Sequence, residues 1–265
     1  MKKFWFILTA LVATCFLVAC SGSQGVSPKT IKEKKKIVVA TESEFAPFEF
    51  KSLVNGKDTL VGADIELAKA IGERLGVKVE FSVMSFDNVL ASVQSGKSDI
   101  AIAGISVTDG RKKVYDFSDS YYTSENVVIV KKDKVNDFTS ADSLAKQTVG
   151  TQKGSVQETV AKKQISKASV VSLASNGEMI NELKSGQIQA VVLEKAIAEG
   201  YIAQNDDLTL ANFNLKSDGS DAYAVATRKG SDDLLKEINT VIKETKDSGK
   251  FDQWLKEAST YKQSK

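Results

Sequence analysis

One pattern occurs twice in this chain. Residues 90–102 read LASVQSGKSDIAI and residues 180–192 read INELKSGQIQAVV, an offset of 90. Each runs helix end, Ser-Gly stop, polar pair, apolar strand. Glycine suits the stop because it adopts the left-handed turn without a Cβ penalty.

The same rhythm continues on either side. The spacing predicts strands at Ile37–Ala40, Val77–Val83 and Ile100–Ala103, and again at Thr148–Gln152, Val170–Leu173 and Ala190–Leu193. Between them, Asp64 is placed to cap a helix whose Leu67, Ile71 and Leu75 share one face before Gly76. Further helices are expected near Asn88–Gln94, from Ser155, and up to Gly186. Strand–helix alternation predicts an α/β fold with mostly parallel sheets covered by helices. The repeat adds two lobes of similar build, and a cleft between lobes is a favourable place for a small ligand.

The first 20 residues, MKKFWFILTALVATCFLVAC, carry Lys2 and Lys3 and then an apolar run from Phe4 to Val18. That is the layout of a secretory signal peptide, and the run is short for a membrane span, which needs about 20 apolar residues. Leu17-Val18-Ala19-Cys20 resembles a bacterial lipobox. It implies a signal peptide over 1–19, cleavage before Cys20 and a diacylglyceryl group on that thiol. Two acyl chains anchor stably where one is marginal. The stretch 20–36 is then expected to be a lipidated cysteine and a flexible tether, with Gly, Ser, Pro28 and a lysine cluster at 34–36 that is either solvated or brushes anionic lipid.

Composition now excludes whole classes of function. Removing Lys2 and Lys3 from the 36 basic residues leaves 34, equal to the 34 acidic ones. A chain near neutrality with no basic stripe argues against a nucleic-acid partner. There is no histidine, and the only cysteines are Cys15 and Cys20, so the body lacks the commonest general base and the commonest metal ligands. No metal or cofactor is expected. No P-loop signature occurs, so any ATPase would be a separate chain.

Arg111 stands out in AGISVTDGRKK, a loop of small and polar residues after an apolar strand. Arginine, unlike lysine, grips a flat two-oxygen anion in a fixed orientation. Together with VVATESEFAPF at 38–48, VGADIELAKAIGERLG at 61–76 and AGISVTDGRKKVYDFSDSYY at 103–122, this loop resembles the polar-amino-acid-binding receptors of bacterial ABC importers, solute-binding protein family 3. The similarity spans about Lys36 to Tyr261. It implies a two-lobed periplasmic-binding-protein "Venus flytrap". Lobe 1 would be 37–123 plus 222–265 and lobe 2 would be 126–217. Hinge strands would lie near 123–126 and 215–221.

The resemblance also implies site roles. Arg111 would bind the ligand α-carboxylate, joined by the Ser106 and Val156 N–H groups. The Ser106 hydroxyl, the Gly104 carbonyl and Glu194 would meet the ammonium. Ser155 would line the pocket, or simply cap the helix it opens. Glu194 stands where the family usually has Asp, and the alternative is an exposed acid. Phe45 and Phe86 would sandwich the ligand side chain, the alternative for Phe86 being lobe core. Glu42 would reach the ligand side chain, Gln152 would line the pocket at a place where one group has Leu and the other Lys, and Glu44 would lie at the rim or in the pocket.

Counting charge, a further carboxylate in a closed cleft is costly unless a cation meets it. That favours arginine or lysine, while Ala103-Gly104 resembles the glutamine type. The resemblance implies a monomeric, membrane-anchored receptor that closes on a free amino acid and delivers it to a permease with separate ATPase subunits. Rival readings are a dehydratase-like enzyme or a surface adhesin on the same fold.

Overall fold

The computed structural model describes residues 25–217, 219 and 221–263. The signal peptide and Cys20 lie outside the described residues.

Two five-stranded sheets of matching design carry the molecule. In the first, the strand order is Lys78–Val83, Lys36–Thr41, Ile100–Ala101, Ala226–Arg228, Tyr115–Phe117. Only Ala226–Arg228 runs against the others. In the second the order is Ser169–Leu173, Thr148–Gln152, Ala190–Glu194, Asn126–Lys131, Leu208–Leu210. Again one strand, Asn126–Lys131, is reversed. The duplicated sequence pattern maps onto equivalent central strands, Ile100–Ala101 and Ala190–Glu194.

The sheets are joined twice. Tyr122–Thr123 carries the chain out of the first sheet, and Ala222–Tyr223 brings it back. These two segments pair antiparallel, with Ala222 opposite Thr123. Positions 218 and 220 of the return segment lie outside the described residues.

A three-stranded antiparallel sheet, Glu44–Phe45, Glu49–Val54 and Lys57–Val61, is an element the sequence analysis did not anticipate. Its hairpin turns at Asn55-Gly56, both with positive φ (52° and 74°). Asn-Gly is the dipeptide that tolerates two left-handed residues in succession.

Two expectations need correction. The tether does not extend to residue 36. Pro28–Lys34 is a helix, with Ser27 and Thr30 forming a reciprocal cap and Pro28 in its first turn. Its Ile31 is fully buried, as is Val26 nearby, and the Val26 N–H donates to Ser231 Oγ at 2.8 Å. Lys34 and Lys36 pair with Asp99 and Glu80. The signal was faint because one apolar residue in a seven-residue helix makes no periodicity.

The second correction concerns Asp64. The helix Ala63–Leu75 starts earlier, on Gly62 (φ 131°), and Asp64 lies inside its first turn, completely buried. Leu67, Ile71 and Leu75 do share its buried face, and Gly76 does end it in the left-handed conformation.

Ile31→Ala is expected to lower the unfolding free energy by about 2–4 kcal/mol, read as a lower urea midpoint at unchanged slope. A flexible segment would leave the midpoint unchanged.

Candidate ligand-binding cleft

In α/β sheets, ligands gather beyond the carboxyl ends of the strands. The candidate residues sit there in both sheets. Glu42 follows the strand Lys36–Thr41, and Gly104 and Ser106 follow Ile100–Ala101. Gln152 and Glu194 are the last residues of their strands. Ser155 caps the helix Val156–Gln164, its hydroxyl accepting from the Glu158 N–H at 3.2 Å and donating to the Gln152 carbonyl at 2.7 Å. The capping role is therefore realised.

Across the gap the two halves are in contact. Gln152 Nε2 donates to both Glu42 oxygens, at 3.2 and 3.0 Å. Lys153 pairs with Asp87 at 2.8 Å. Glu44 sits at the rim, where its carboxylate accepts the Gly177 N–H at 2.9 Å and its carbonyl accepts the Tyr201 hydroxyl at 3.1 Å. Gln157 donates to Asn126 Oδ1 at 2.8 Å, beside the crossing segments.

Arg111 belongs to a single turn, Asp109–Lys112, capped by Thr108. Its Nη1 donates to the Ser106 carbonyl at 2.8 Å and its Nη2 to the Gly154 carbonyl at 3.0 Å, bridging the halves. The guanidinium carbon lies 5.7 Å from the centre of the Phe86 ring, within cation–π range. Phe86 is thus both a core residue and a platform for Arg111. Five N–H donors on a guanidinium leave a face for an incoming carboxylate.

Gly104 has two reasons to be glycine. Its φ is +53°, and a Cβ there would stand 2.5 Å from the Phe45 ring. The close approach is therefore to Phe45. The Gly104 N–H points to Asp64 Oδ2 at 3.1 Å. Asp64, Glu49 and Tyr223 are buried members of this region that the sequence analysis did not identify as such. In the GADIEL stretch Asp64 has the position of a helix cap, and nothing local marks Glu49, which lies in the hairpin.

The electrostatics follow from burial. Glu42 and Glu194 are only 4% and 6% exposed. Loss of water pushes the Glu42 carboxyl up to about 8, with Glu44 and Glu194 adding like charge. The same cause raises Glu194 to about 7 and Asp64 to about 6, and carries Glu49 well above the carboxylate range. Desolvation lowers Arg111 to about 10. The region thus holds more acids than cations.

Residues 37–258 match the bacterial extracellular solute-binding proteins, family 3. The chain belongs to this family. Among its relatives, the arginine-binding extracellular protein ArtP of Bacillus subtilis is 34% identical over 261 residues, 97% of each chain. The glutamine-binding protein GlnH of the same organism is 31% identical, covering 97% of this chain and 98% of that one. The solved structure of AbpA, an amino-acid ABC transporter substrate-binding protein of Streptococcus pneumoniae bound to L-arginine, is 49% identical. It superposes with a TM-score of 0.86 over 89% of this chain and all of that one. The fold of this solute-binding protein is accordingly the two-lobed α/β architecture of the family.

The raised acids set a pH dependence. Well below their ordinary values of 4.5 for Glu and 3.8 for Asp these carboxyls are protonated in both states. Above those values the unfolded chain releases protons that the folded one retains, so stability falls as pH rises, up to about pH 8 for Glu42. Ligand-free protein is expected to lose unfolding free energy from about pH 5 upward, by up to ~1.4 kcal/mol per pH unit for each carboxyl still protonated in the fold, Asp64 dropping out near pH 6, Glu194 near 7 and Glu42 near 8. Urea titrations should show a shallower slope in Glu42→Gln; an equal slope would mean that Glu42 ionises normally.

Proposed function

We propose that this protein is the extracytoplasmic receptor of an amino-acid ABC importer and that its ligand is a free cationic L-amino acid, arginine foremost. The observation that carries the reading is the excess of buried acid. In a cleft shut off from water, Arg111 can balance the ligand carboxylate and Glu194 its ammonium. Glu42 is then left without a cation among the described residues, where the Gln152 amide holds it. A guanidinium or ammonium on the ligand side chain supplies it. The arginine named in the relatives ArtP and AbpA supports the same choice. Glutamine is the second reading, favoured by Ala103-Gly104 and by the relative GlnH.

Each residue then has a task. The Ser106 and Val156 N–H groups join Arg111 on the carboxylate. Gly104 and the Ser106 hydroxyl join Glu194 on the ammonium. Phe45 flanks the ligand, Phe86 backs Arg111, and Ser155 orders the helix start. Residues 37–123 with 222–265 act as one lobe and 126–217 as the other, rotating on the paired crossing strands. The bridges Arg111–Gly154, Gln152–Glu42 and Lys153–Asp87 form as the lobes close, and ligand contacts spanning both lobes shift the equilibrium that way. A signal peptide over 1–19 and a lipid on Cys20 tether the monomer outside the membrane, where the closed form meets a permease driven by separate ATPase subunits. The role is capture and delivery, without turnover.

The test is calorimetric titration of an amino-acid panel into protein unfolded and refolded to strip carried ligand. Arginine or lysine is expected to bind most tightly. Arg111→Ala should weaken that binding by ~2–5 kcal/mol, roughly 30- to several-thousand-fold, with native circular dichroism. Glutamine binding more tightly than either overturns the charge argument, and silence across the panel overturns the receptor reading.

A second outcome separates the two ligands. Near pH 7 the free Glu42 carboxyl holds its proton, and a ligand cation lowers its pKa and drives that proton out. Arginine binding should therefore show an enthalpy that differs between phosphate and Tris buffers. Proton release from Glu194 on meeting the ammonium is common to both ligands, so a neutral side chain should show the smaller buffer dependence, lacking the Glu42 contribution.

A further inference from the structure

Behind the cleft lies a second pair of acids, Glu49 on the hairpin and Asp64 in the helix Ala63–Leu75, both completely buried. Asp64 Oδ2 accepts two hydrogen bonds, from the Gly104 N–H at 3.1 Å and from the Tyr121 hydroxyl at 2.8 Å. Asp64 Oδ1 and both Glu49 oxygens find no donor among the described residues. The two residues are neighbours, the Asp64 N–H donating to the carbonyl of Phe48, next to Glu49, at 2.9 Å, and each carboxyl shifts the other's proton affinity. Two carboxylates so placed cannot both be ionised. One proton between them satisfies Asp64 Oδ1 and one Glu49 oxygen together.

The surroundings decide where that proton sits. Asp64 already receives two donors, which favour its charged form. Glu49 receives none. Among the described residues, the ionisable groups that act on Glu49 electrostatically are Asp64, Glu42, Glu194, Tyr121 and Tyr223, all acids or phenols.

The anchored loop is the one that carries the site. Gly104 is held in a left-handed conformation under the Phe45 ring, and two residues on, the Ser106 carbonyl holds Arg111 Nη1 at 2.8 Å. We propose that Glu49 and Asp64 share one proton, Glu49 as the neutral donor and Asp64 as the anion, and that this pair positions the Gly104–Ser106 loop from which Arg111 receives the ligand. The two are positioning residues. The second half of the proposal rests on the receptor reading above.

The experiment measures L-arginine affinity by calorimetry and, without ligand, the Gly104 amide resonance by NMR. Glu49→Leu leaves Asp64 Oδ1 without a donor and should weaken arginine binding about tenfold or more. Glu49→Gln, whose amide N–H replaces the acid O–H, should restore most of it. Raising the pH strips the shared proton in the wild type but not in Glu49→Gln. The ratio of the two affinities should therefore shift in favour of Glu49→Gln at alkaline pH. Glu42 and Glu194 titrate in both proteins, so most of their contribution drops out of that ratio. The Gly104 resonance, moved downfield by an anionic acceptor, should shift upfield in Asp64→Asn and hold its place in Glu49→Gln.

Glu49→Gln as damaging as Glu49→Leu, or an affinity ratio flat with pH, overturns the proton assignment. A Gly104 resonance unmoved by Asp64→Asn overturns the anchor, even if Glu49→Leu fails to fold. Wild-type protein that binds no amino acid overturns the receptor reading, and with it the loop's role in binding. The Gly104 resonance then still decides whether an anionic Asp64 anchors the loop.

Discussion

Carboxyl groups held out of water at the ends of two parallel-stranded cores govern this molecule. Glu42 and Glu194 each end or follow a central strand of a different sheet, and both are buried where the halves meet. Removing a carboxylate from water costs several kcal/mol unless a partner replaces the lost hydration. Here the partners are few: the Gln152 amide for Glu42 and the half-buried guanidinium of Arg111 for the region as a whole. Acids under such pressure keep their protons or wait for a cation. The proposed preference for a cationic ligand rests on this imbalance.

The repeated architecture places that imbalance where a ligand can relieve it. Parallel strands present all their carboxyl ends on one side, and two such sheets facing each other bring two sets of strand ends to one gap. Each sheet has one reversed strand adjoining the crossings: Asn126–Lys131 follows the outgoing segment and Ala226–Arg228 follows the returning one. The junction is thus a short pair of strands, while contacts across the gap are made by side chains and single carbonyls. The closure proposed above would turn on this thin junction.

Much of this was legible in the chain. The duplicated helix–Gly–strand pattern announced two α/β halves because glycine stops and apolar strands are local features. Arg111 was conspicuous because an arginine in a loop of small residues has few purely structural uses. The Ser155 cap was equally readable. Other features left weaker marks. The helix Pro28–Lys34 buries one apolar residue, and the Asn55-Gly56 turn is a strong hairpin signal that went unread.

What the sequence determined by itself was the set of elements and their order, since propensity, capping and periodicity act within a few residues. It also supplied the stretches that resemble a family and the residues that resemblance points to. Tertiary structure alone decided what the buried polar groups face. Asp64 reads as a helix cap in one dimension, yet its carboxylate meets Gly104 and Tyr121, 40 and 57 positions away. Gln152 finds Glu42 across 110 residues, and Arg111 finds Gly154 across 43. Hydrogen bonds and desolvation depend on distance in space and on the exclusion of water, and neither is written in the order of neighbouring residues.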